Sequence, residues 1–365
     1  MSTPLWPGSG YQGRRGGESL RRLAGMPAPQ GEPVPMPAPP GVAENAPESV
    51  DVEEVASQGG EAPSCAVKSV GGVRLPERGV RTGVRARVLR AVTGGRVACL
   101  EDEGSWQARV DMARLQAPIP QGHSGAIVVA QPKGGVGKTP VSMLIDATLR
   151  AHTRCESLVW DLNDNGGGRW VLPPSVSAVG RLVDAAQRGV VTRSTITSSM
   201  VIQDGGTYTV LPSREGAANL SAAEFGCVWG TLRDWFDQCV IDTGNSLASP
   251  NFVNALKIAD IVVIPTDYSD AALAPTVALA RRLEARWGDE WGDHVVVVPT
   301  GRVGDMGQVW LEGACARTVP IPYDAHIDAR DMLRYSDLAP ATRAAGIRLG
   351  AAIMDTYRTI NNNNK

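Results

Sequence analysis

From residue 126 onward, short apolar runs alternate with longer segments of helical spacing. The runs have the length of strands and are continuously apolar, and they lie at 126–130, 157–161, 239–242, 261–265 and 295–299. Strands of this kind are typical of a parallel sheet, because helices cover both of its faces. The pattern therefore predicts an α/β fold with a mostly parallel, twisted sheet and helices on both faces.

Helical periodicity fills the intervals between the predicted strands. We expect helices over 140–152, 179–187, 221–236, 270–287, 304–314 and 340–358. Two further short apolar runs, 200–202 and 208–211, flank Asp204-Gly205-Gly206 and predict a β-hairpin. Together these elements predict one domain over residues 121–360.

Residues 1–72 have a different composition, rich in proline, glycine, alanine and glutamate, with polyproline-like stretches at 26–29 and 33–40. Such a segment cannot bury enough apolar surface to offset the entropy lost on ordering. We interpret it as a disordered tail. A passive tail and a proline-dependent docking site both stay open.

Residues 73–120 are interpreted as a basic amphipathic segment followed by a connector. Seven arginines lie between 74 and 96, and Val84, Val88 and Val92 share one helical face. Such a face could bind DNA, an anionic membrane or an acidic partner, or it could be a solvated basic surface packed on the domain. Residues 97–120 mix acidic and basic side chains and end in Pro118-Ile119-Pro120, which favours a connector.

Composition excludes several classes of protein. The net charge of the 365 residues is −2, so no long-range field attracts the chain to nucleic acid or membrane. The six cysteines and four histidines are scattered without a Cys-x-x-Cys pair, which disfavours zinc and favours free thiols in a reducing cytoplasm. The N-terminus lacks the apolar core of a signal peptide, and no run reaches the roughly 18 apolar residues of a membrane span. We expect a cytoplasmic protein without a transmembrane segment.

A glycine-rich loop separates the first predicted strand from its helix. It reads Gln131-Pro132-Lys133-Gly134-Gly135-Val136-Gly137-Lys138-Thr139 and is followed by Pro140. The glycines allow successive backbone N–H groups to turn inward as an anion nest, to which the helix start adds a positive dipole end. Lys138 supplies a full charge for the outer phosphates, and Thr139 supplies a hydroxyl for Mg²⁺. Pro140 fits a first helical turn, where N–H groups have no intrahelical partner. The predicted phosphate-binding residues are Gly134, Gly135, Val136, Gly137, Lys138, Thr139 and Pro140; the competing interpretation is a glycine-rich turn before a buried helix.

Two aspartates come at strand ends, where ligands bind in open α/β sheets. Asp161 ends the second apolar run and is followed by Asn163 and Asp164, and Asp242 ends the third. We expect Asp161 and Asp242 to join Thr139 in holding Mg²⁺, directly or through water. A strand-end aspartate is also a common helix cap or turn former.

The loop resembles the deviant Walker A motif of the ParA/MinD family of ATPases. Lys133 stands at the front of Lys-Gly-Gly-Val-Gly-Lys-Thr, and Pro132 replaces the first glycine of the ordinary motif. The resemblance covers roughly residues 124–358: the segment 159–165 is similar to the family's Asp-x-Asp switch, and Asp242 is similar to its Walker B aspartate. Segment 319–324 resembles a late loop that usually approaches the adenine, here with Pro320 and Pro322. The proline-rich N-terminus and the switch look most like actinobacterial members linked to mobile elements and type VII secretion.

The resemblance implies ATP and Mg²⁺ as cofactors, an ATP-dependent homodimer and slow ATP hydrolysis stimulated by an unidentified activating partner. Members position cargo such as plasmids, chromosomes or secretion machinery. Lys133 is implied to reach the partner's nucleotide. Asn163 replaces the usual water-positioning aspartate, and Asp164 is adjacent to it, so binding is better supported than hydrolysis. Two alternatives stay open: a nucleotide-binding scaffold that does not hydrolyse, and a biosynthetic ATP-dependent ligase on the same fold.

Overall fold

The structure is a computed structural model. It describes residues 69–70, 73–79, 91–92, 101–118, 125–163, 179–203, 208–211, 220–267, 269–300, 317–328 and 333–363. Apart from residues 69–70, the predicted tail over 1–72 lies outside these residues, as do most of residues 74–96 and the predicted helix over 304–314.

The described residues include an eight-stranded sheet that confirms the predicted fold class. Its strands are β3 Gly125–Val129, β4 Ser157–Leu162, β5 Val201–Gln203, β6 Tyr208–Leu211, β7 Gln238–Thr243, β8 Ile261–Thr266, β9 Val295–Pro299 and β10 Arg317–Thr318. The spatial order is β10-β9-β8-β3-β7-β4-β6-β5, and neighbours are parallel except β5 and β6, which form the predicted antiparallel hairpin. The strand that precedes the glycine-rich loop, β3, is therefore central in the sheet, between β7 and β8. A separate pair of short strands, β1 Ser69–Val70 and β2 Val73–Arg74, is antiparallel.

Helices alternate with these strands along the chain. They are α1 Glu103–Gln116, α2 Lys138–His152, α3 Val179–Gln187, α4 Arg193–Ser198, α5 Ala222–Trp235, α6 Pro250–Ile258, α7 Asp270–Trp287, α8 Ala325–Asp328 and α9 Pro340–Asn363. Short 3-10 helices span Gly288–His294 and Tyr335–Asp337. The predictions for α3 and α7 match the observed bounds. None of the described helices is long and apolar enough to cross a membrane.

Helices cover both faces of the sheet, which makes a three-layer architecture. On one face, Trp160 of β4 stacks on Phe225 of α5, with ring centroids 5.0 Å apart, and α3, α6 and α7 complete the cluster. On the other face, α2 and α9 pack over Val159, Val240 and the neighbouring strand residues. Alternate residues of each strand point to opposite clusters, which explains why the strands are continuously apolar.

The segment interpreted as a connector contains a packed helix, α1, over residues 103–116. Asp102 caps α1 by accepting from the Ser105 N–H at 2.9 Å. Arg114 Nε donates to Asp355 Oδ2 of α9 at 2.7 Å, and Arg358 donates back to the Arg114 carbonyl at 2.6 Å. Leu115 is 2% exposed in the core beneath. Of the mixed charges in this segment, Arg114 pairs with Asp355 of α9, whereas Arg109 pairs with Glu101.

Candidate functional site

The glycine-rich loop joins the carboxyl end of β3 to the first residue of α2. Gly135 and Gly137 have φ angles of 79° and 91°, in the left-handed region that favours glycine. A Cβ at Gly137 would lie 3.6 Å from Thr300, an ordinary contact, so the backbone conformation and not space requires glycine there. Left-handed residues of this kind turn successive N–H groups toward one point. The predicted strand–loop–helix context of an anion nest is confirmed.

Side chains from two other elements hold the loop in place. Gln131 is fully buried, and its Nε2 donates to Thr276 Oγ1 of α7 at 2.8 Å. Its side-chain oxygen accepts from the Lys133 N–H at 3.3 Å. On the opposite side, Thr300 at the end of β9 donates to the Val136 carbonyl at 2.8 Å. The loop is therefore preorganised by α7 and β9 before any ligand binds.

Lys138 is the buried cation of the loop. Its side chain is 8% exposed, and its Nζ donates to the Lys133 carbonyl at 3.1 Å and to Asn245 Oδ1. Burial lowers the pKa of Lys138, while the nearby charge of Asp242 raises it. Both acceptors bonded to Nζ are neutral, so the ammonium has no bonded anion among the described residues. An anion placed in the nest would be attracted to it.

Thr139 and Asp242 lie together beside the loop. Thr139 Oγ1 donates to Asp242 Oδ2 at 2.5 Å, whereas Asp242 Oδ1 is buried without a hydrogen-bond partner among the described residues. Burial raises the pKa of Asp242 to about 6, and the Thr139 hydrogen bond and the Lys138 charge act against that rise. An unsatisfied carboxylate oxygen beside a hydroxyl is a set of hard oxygen donors that fits Mg²⁺.

Asp161 is placed next to Asp242 by the register of the sheet. The two residues are Cα partners across β4 and β7. Val159 and Val240 lie two residues earlier on the same strands and pack in the cluster under α2. Because residues two apart on a strand point to the same face, both carboxylates are on the face of the sheet that α2 covers. Asp161 is 2% exposed and accepts from the Asn163 N–H at 2.9 Å. The three predicted metal ligands are thus at one edge of the sheet.

In the described part of the chain, no three or more histidine, cysteine, aspartate or glutamate side chains form a group that could enclose a metal ion. Mg²⁺ usually keeps water and substrate phosphates as ligands and binds one or two carboxylates. The donor set around Thr139 therefore suits a metal that arrives with phosphate. Asp164, the predicted catalytic carboxylate, lies outside the described residues.

Lys133 is bonded within its own chain. Its Nζ donates to Ser269 Oγ at 2.7 Å, at the start of α7, and forms an ion pair with Asp267. The side chain is therefore directed away from the nest and toward the loop between β8 and α7. The role implied for Lys133, contact with the nucleotide of a second subunit, stays a prediction.

The late loop is attached to the same edge of the sheet through β9. Ile321 donates its N–H to the Pro299 carbonyl at 2.9 Å and forms a parallel bridge with Thr300. Thr300 also donates to the Val136 carbonyl, so this one residue contacts both the phosphate loop and the late loop. Pro320 and Pro322 are exposed there. Their contact with a nucleotide base stays a prediction.

Asn245 is a site residue that sequence reasoning missed. It follows Asp242 by three residues, and its side chain bonds Lys138 across the loop. Its Nδ2 would lie 3.4 Å from a Cβ built on Gly134. The available signal was its position just beyond a strand-end aspartate, where a turn can return the chain toward the ligand.

Comparisons with known proteins identify distant structural neighbours. No protein-family model and no curated protein matches the chain. A ParA family ATPase from Chlorobium tepidum is similar at 14% identity and a TM-score of 0.48, covering 65% of this chain and 98% of that chain. A plasmid partition protein from Borrelia burgdorferi bound to AMPPNP is similar at 16% identity and a TM-score of 0.45, covering 63% and 98%. Cobyrinic acid a,c-diamide synthase from Mycobacterium smegmatis with an ATP analogue and magnesium is similar at 18% identity and a TM-score of 0.45, covering 61% and 91%. Similarities this distant do not assign a function, which depends on the site.

Proposed function

We propose that the chain is an ATP-binding switch of ParA/MinD type that dimerises with ATP and hydrolyses it slowly. Its role would be to position or partition DNA, or a secretion or conjugation complex, as in the actinobacterial members that it resembles. The observation that carries the proposal is the arrangement of Lys138, Thr139 and Asp242 around a preorganised glycine loop.

Each residue of this arrangement has a distinct task in phosphate binding. The backbone of Gly134–Gly137 would surround the inner phosphates, and Lys138 would neutralise the outer ones. Thr139 and Asp242, with Asp161 beside them, would hold Mg²⁺. When bound, Mg²⁺ supplies charge neutralisation at the outer phosphate oxygens. The unsatisfied Asp242 Oδ1 supports this assignment, because the apo chain leaves it without a partner among the described residues.

The strand order supports one direction for the nucleotide. Asp242 and Asp161 are on β7 and β4, on one side of the loop strand, so the terminal phosphate would point that way. The base would then lie on the opposite side, over β8 and β9. Pro320 and Pro322 are on that side, which supports their proposed contact with the adenine.

Hydrolysis would be slow because the switch segment lacks the usual second aspartate. Catalysis of phosphoryl transfer requires a positioned water as well as charge stabilisation. Asn163 can orient a water but cannot accept its proton, so Asp164 or an activating partner would have to contribute the missing group.

Dimerisation is proposed through Lys133. In the single chain its charge is neutralised by Asp267 and bonded to Ser269. In an ATP dimer, Lys133 would exchange these partners for the phosphates of the other subunit's nucleotide.

Attachment to DNA or an anionic membrane is proposed for the arginine-rich residues 74–96, because the chain as a whole has no positive net charge.

The experiment that tests the proposal is calorimetric titration of the chain with ATP and Mg²⁺. Lys138→Ala should weaken binding by about 100-fold or more, because a buried charge-assisted contact is lost. Lys257→Ala, which removes an exposed lysine of α6, is the charge-matched control and should bind normally. Unchanged affinity of Lys138→Ala would contradict the phosphate-loop assignment. Normal binding without product in a single-turnover assay would favour the non-hydrolysing scaffold.

A further inference from the structure

The side chain of Asn245 spans the mouth of the glycine loop. Its Oδ1 accepts from Lys138 Nζ on one side, and its Nδ2 lies 3.4 Å from the position of a Cβ on Gly134 on the other. Asn245 is otherwise exposed, and Gly244 before it is buried at the end of β7. The amide is thus held over the nest by the loop's own cation.

The hydrogen-bonding capacity of Lys138 separates two kinds of ligand. An ammonium has three donors and no acceptor. One donor is used by the Lys133 carbonyl and one by Asn245, which leaves one for a β-phosphate. A diphosphate can therefore bind while Asn245 keeps its place. A γ-phosphate that also contacted Lys138 would compete with Asn245 Oδ1 for a donor of the ammonium.

We infer that Asn245 is a γ-phosphate sensor that sets the preference for nucleoside triphosphate over diphosphate. This inference rests on the proposed nucleotide binding. With the loop empty or holding a diphosphate, Asn245 Oδ1 occupies the place of a γ-phosphate oxygen on Lys138. With a triphosphate, the γ-phosphate takes that place, and rotation of the amide turns Nδ2 to donate to it.

Asparagine is suited to this exchange because its amide carries an acceptor and a donor at the same distance from the backbone. The acceptor satisfies Lys138 in the first state, and the donor satisfies the γ-phosphate in the second. An aspartate could fill only the first role and would repel the γ-phosphate. Asn245 also lies only three residues after Asp242, the predicted metal ligand at the end of β7.

The test compares ADP with the non-hydrolysable AMPPNP, each with Mg²⁺, by calorimetry on the full chain. Asn245→Ala should leave the affinity for ADP within about twofold and weaken AMPPNP by about tenfold, because a charge-assisted hydrogen bond to the γ-phosphate is lost. Asn245→Asp should weaken AMPPNP by about 100-fold and ADP far less. Ser246→Ala, at the exposed neighbouring position, is the matched control and should change neither affinity.

The outcomes separate this inference from the proposed function. An unchanged AMPPNP-to-ADP ratio in Asn245→Ala, or tighter binding of AMPPNP, would overturn the sensor role while nucleotide binding stands. A wild-type chain that binds neither nucleotide would overturn both. Thermal unfolding of each variant without nucleotide shows whether it is folded, and the two Asn245 substitutions provide independent readings.

Discussion

Replacing Asp242 by asparagine should stabilise the Mg²⁺-free chain while removing its Mg²⁺-dependent nucleotide binding. Asp242 is 2% exposed, and only its Oδ2 has a hydrogen-bond donor, Thr139, among the described residues. Burial raises the pKa of the carboxyl to about 6 from its ordinary 3.8, because Thr139 and Lys138 compensate only part of the lost hydration. The carboxylate therefore opposes folding until a cation binds, and a neutral amide of the same shape does not.

The size of the effect follows from the pKa shift. A difference of about two pKa units between the folded and unfolded chain corresponds to about 3 kcal/mol, and relaxation around a neutral substitute reduces the gain to about 1–2 kcal/mol. The raised pKa also determines the pH dependence. Below about pH 4 both states of the chain bind the proton and the penalty is absent. It grows as the pH rises to about 6, where the folded carboxyl loses its proton, and stays constant above.

Urea unfolding in EDTA measures this difference. At pH 7.5 the Asp242→Asn variant should have a higher free energy of unfolding than the wild type, and the two should converge near pH 4. Asp324→Asn is the matched control: burial would raise the pKa of Asp324, but N–H groups of Ala339 and His326, 2.8 and 3.0 Å away, lower it below its ordinary value. That substitution should destabilise the chain at pH 7.5. A destabilised Asp242→Asn variant in EDTA would refute the reasoning, because the carboxylate would then have a native partner.

Three further predictions concern assembly, the N-terminal region and hydrolysis. Lys133→Ala should bind ATP·Mg²⁺ as a monomer but fail to dimerise in light scattering with AMPPNP; a dimer as strong as the wild type would contradict contact with the second nucleotide. Deleting residues 1–97 should spare nucleotide binding and abolish salt-sensitive binding to DNA or anionic liposomes. Deleting residues 1–120 also removes α1 and should cost about 2–5 kcal/mol of stability, because the core loses the buried Leu115, while Asp355 keeps Arg358 as its charge partner. Equal binding by the full-length and 98–365 chains would make the segment a passive tail. In single-turnover assays Asn163→Asp should hydrolyse ATP faster, since a positioned general base contributes about 10²–10⁴-fold, and Asp164→Ala should lose the remaining activity. If neither substitution changes the rate, this switch does not position the water.

The layers of the fold and the phosphate loop are predictable from the sequence, because both depend on local patterns. Continuous apolar runs identify strands covered on both faces, and the helices Val179–Gln187 and Asp270–Trp287 were predicted with their observed bounds. The left-handed conformations of Gly135 and Gly137 are likewise a local requirement. Asp161 and Asp242 were predicted together because parallel strands end at one edge of a sheet.

The fold brings together distant residues that no local pattern connects. The charges of α1 were assigned to a connector because their partner, Asp355, is 241 residues away from Arg114. Lys138 meets Asn245 across 107 residues, and Lys133 meets Asp267 across 134. Such contacts depend on strand order and on the return of loops toward the sheet edge. Hydrophobic periodicity carries neither kind of information, because it records which face of an element is buried and not which element covers it.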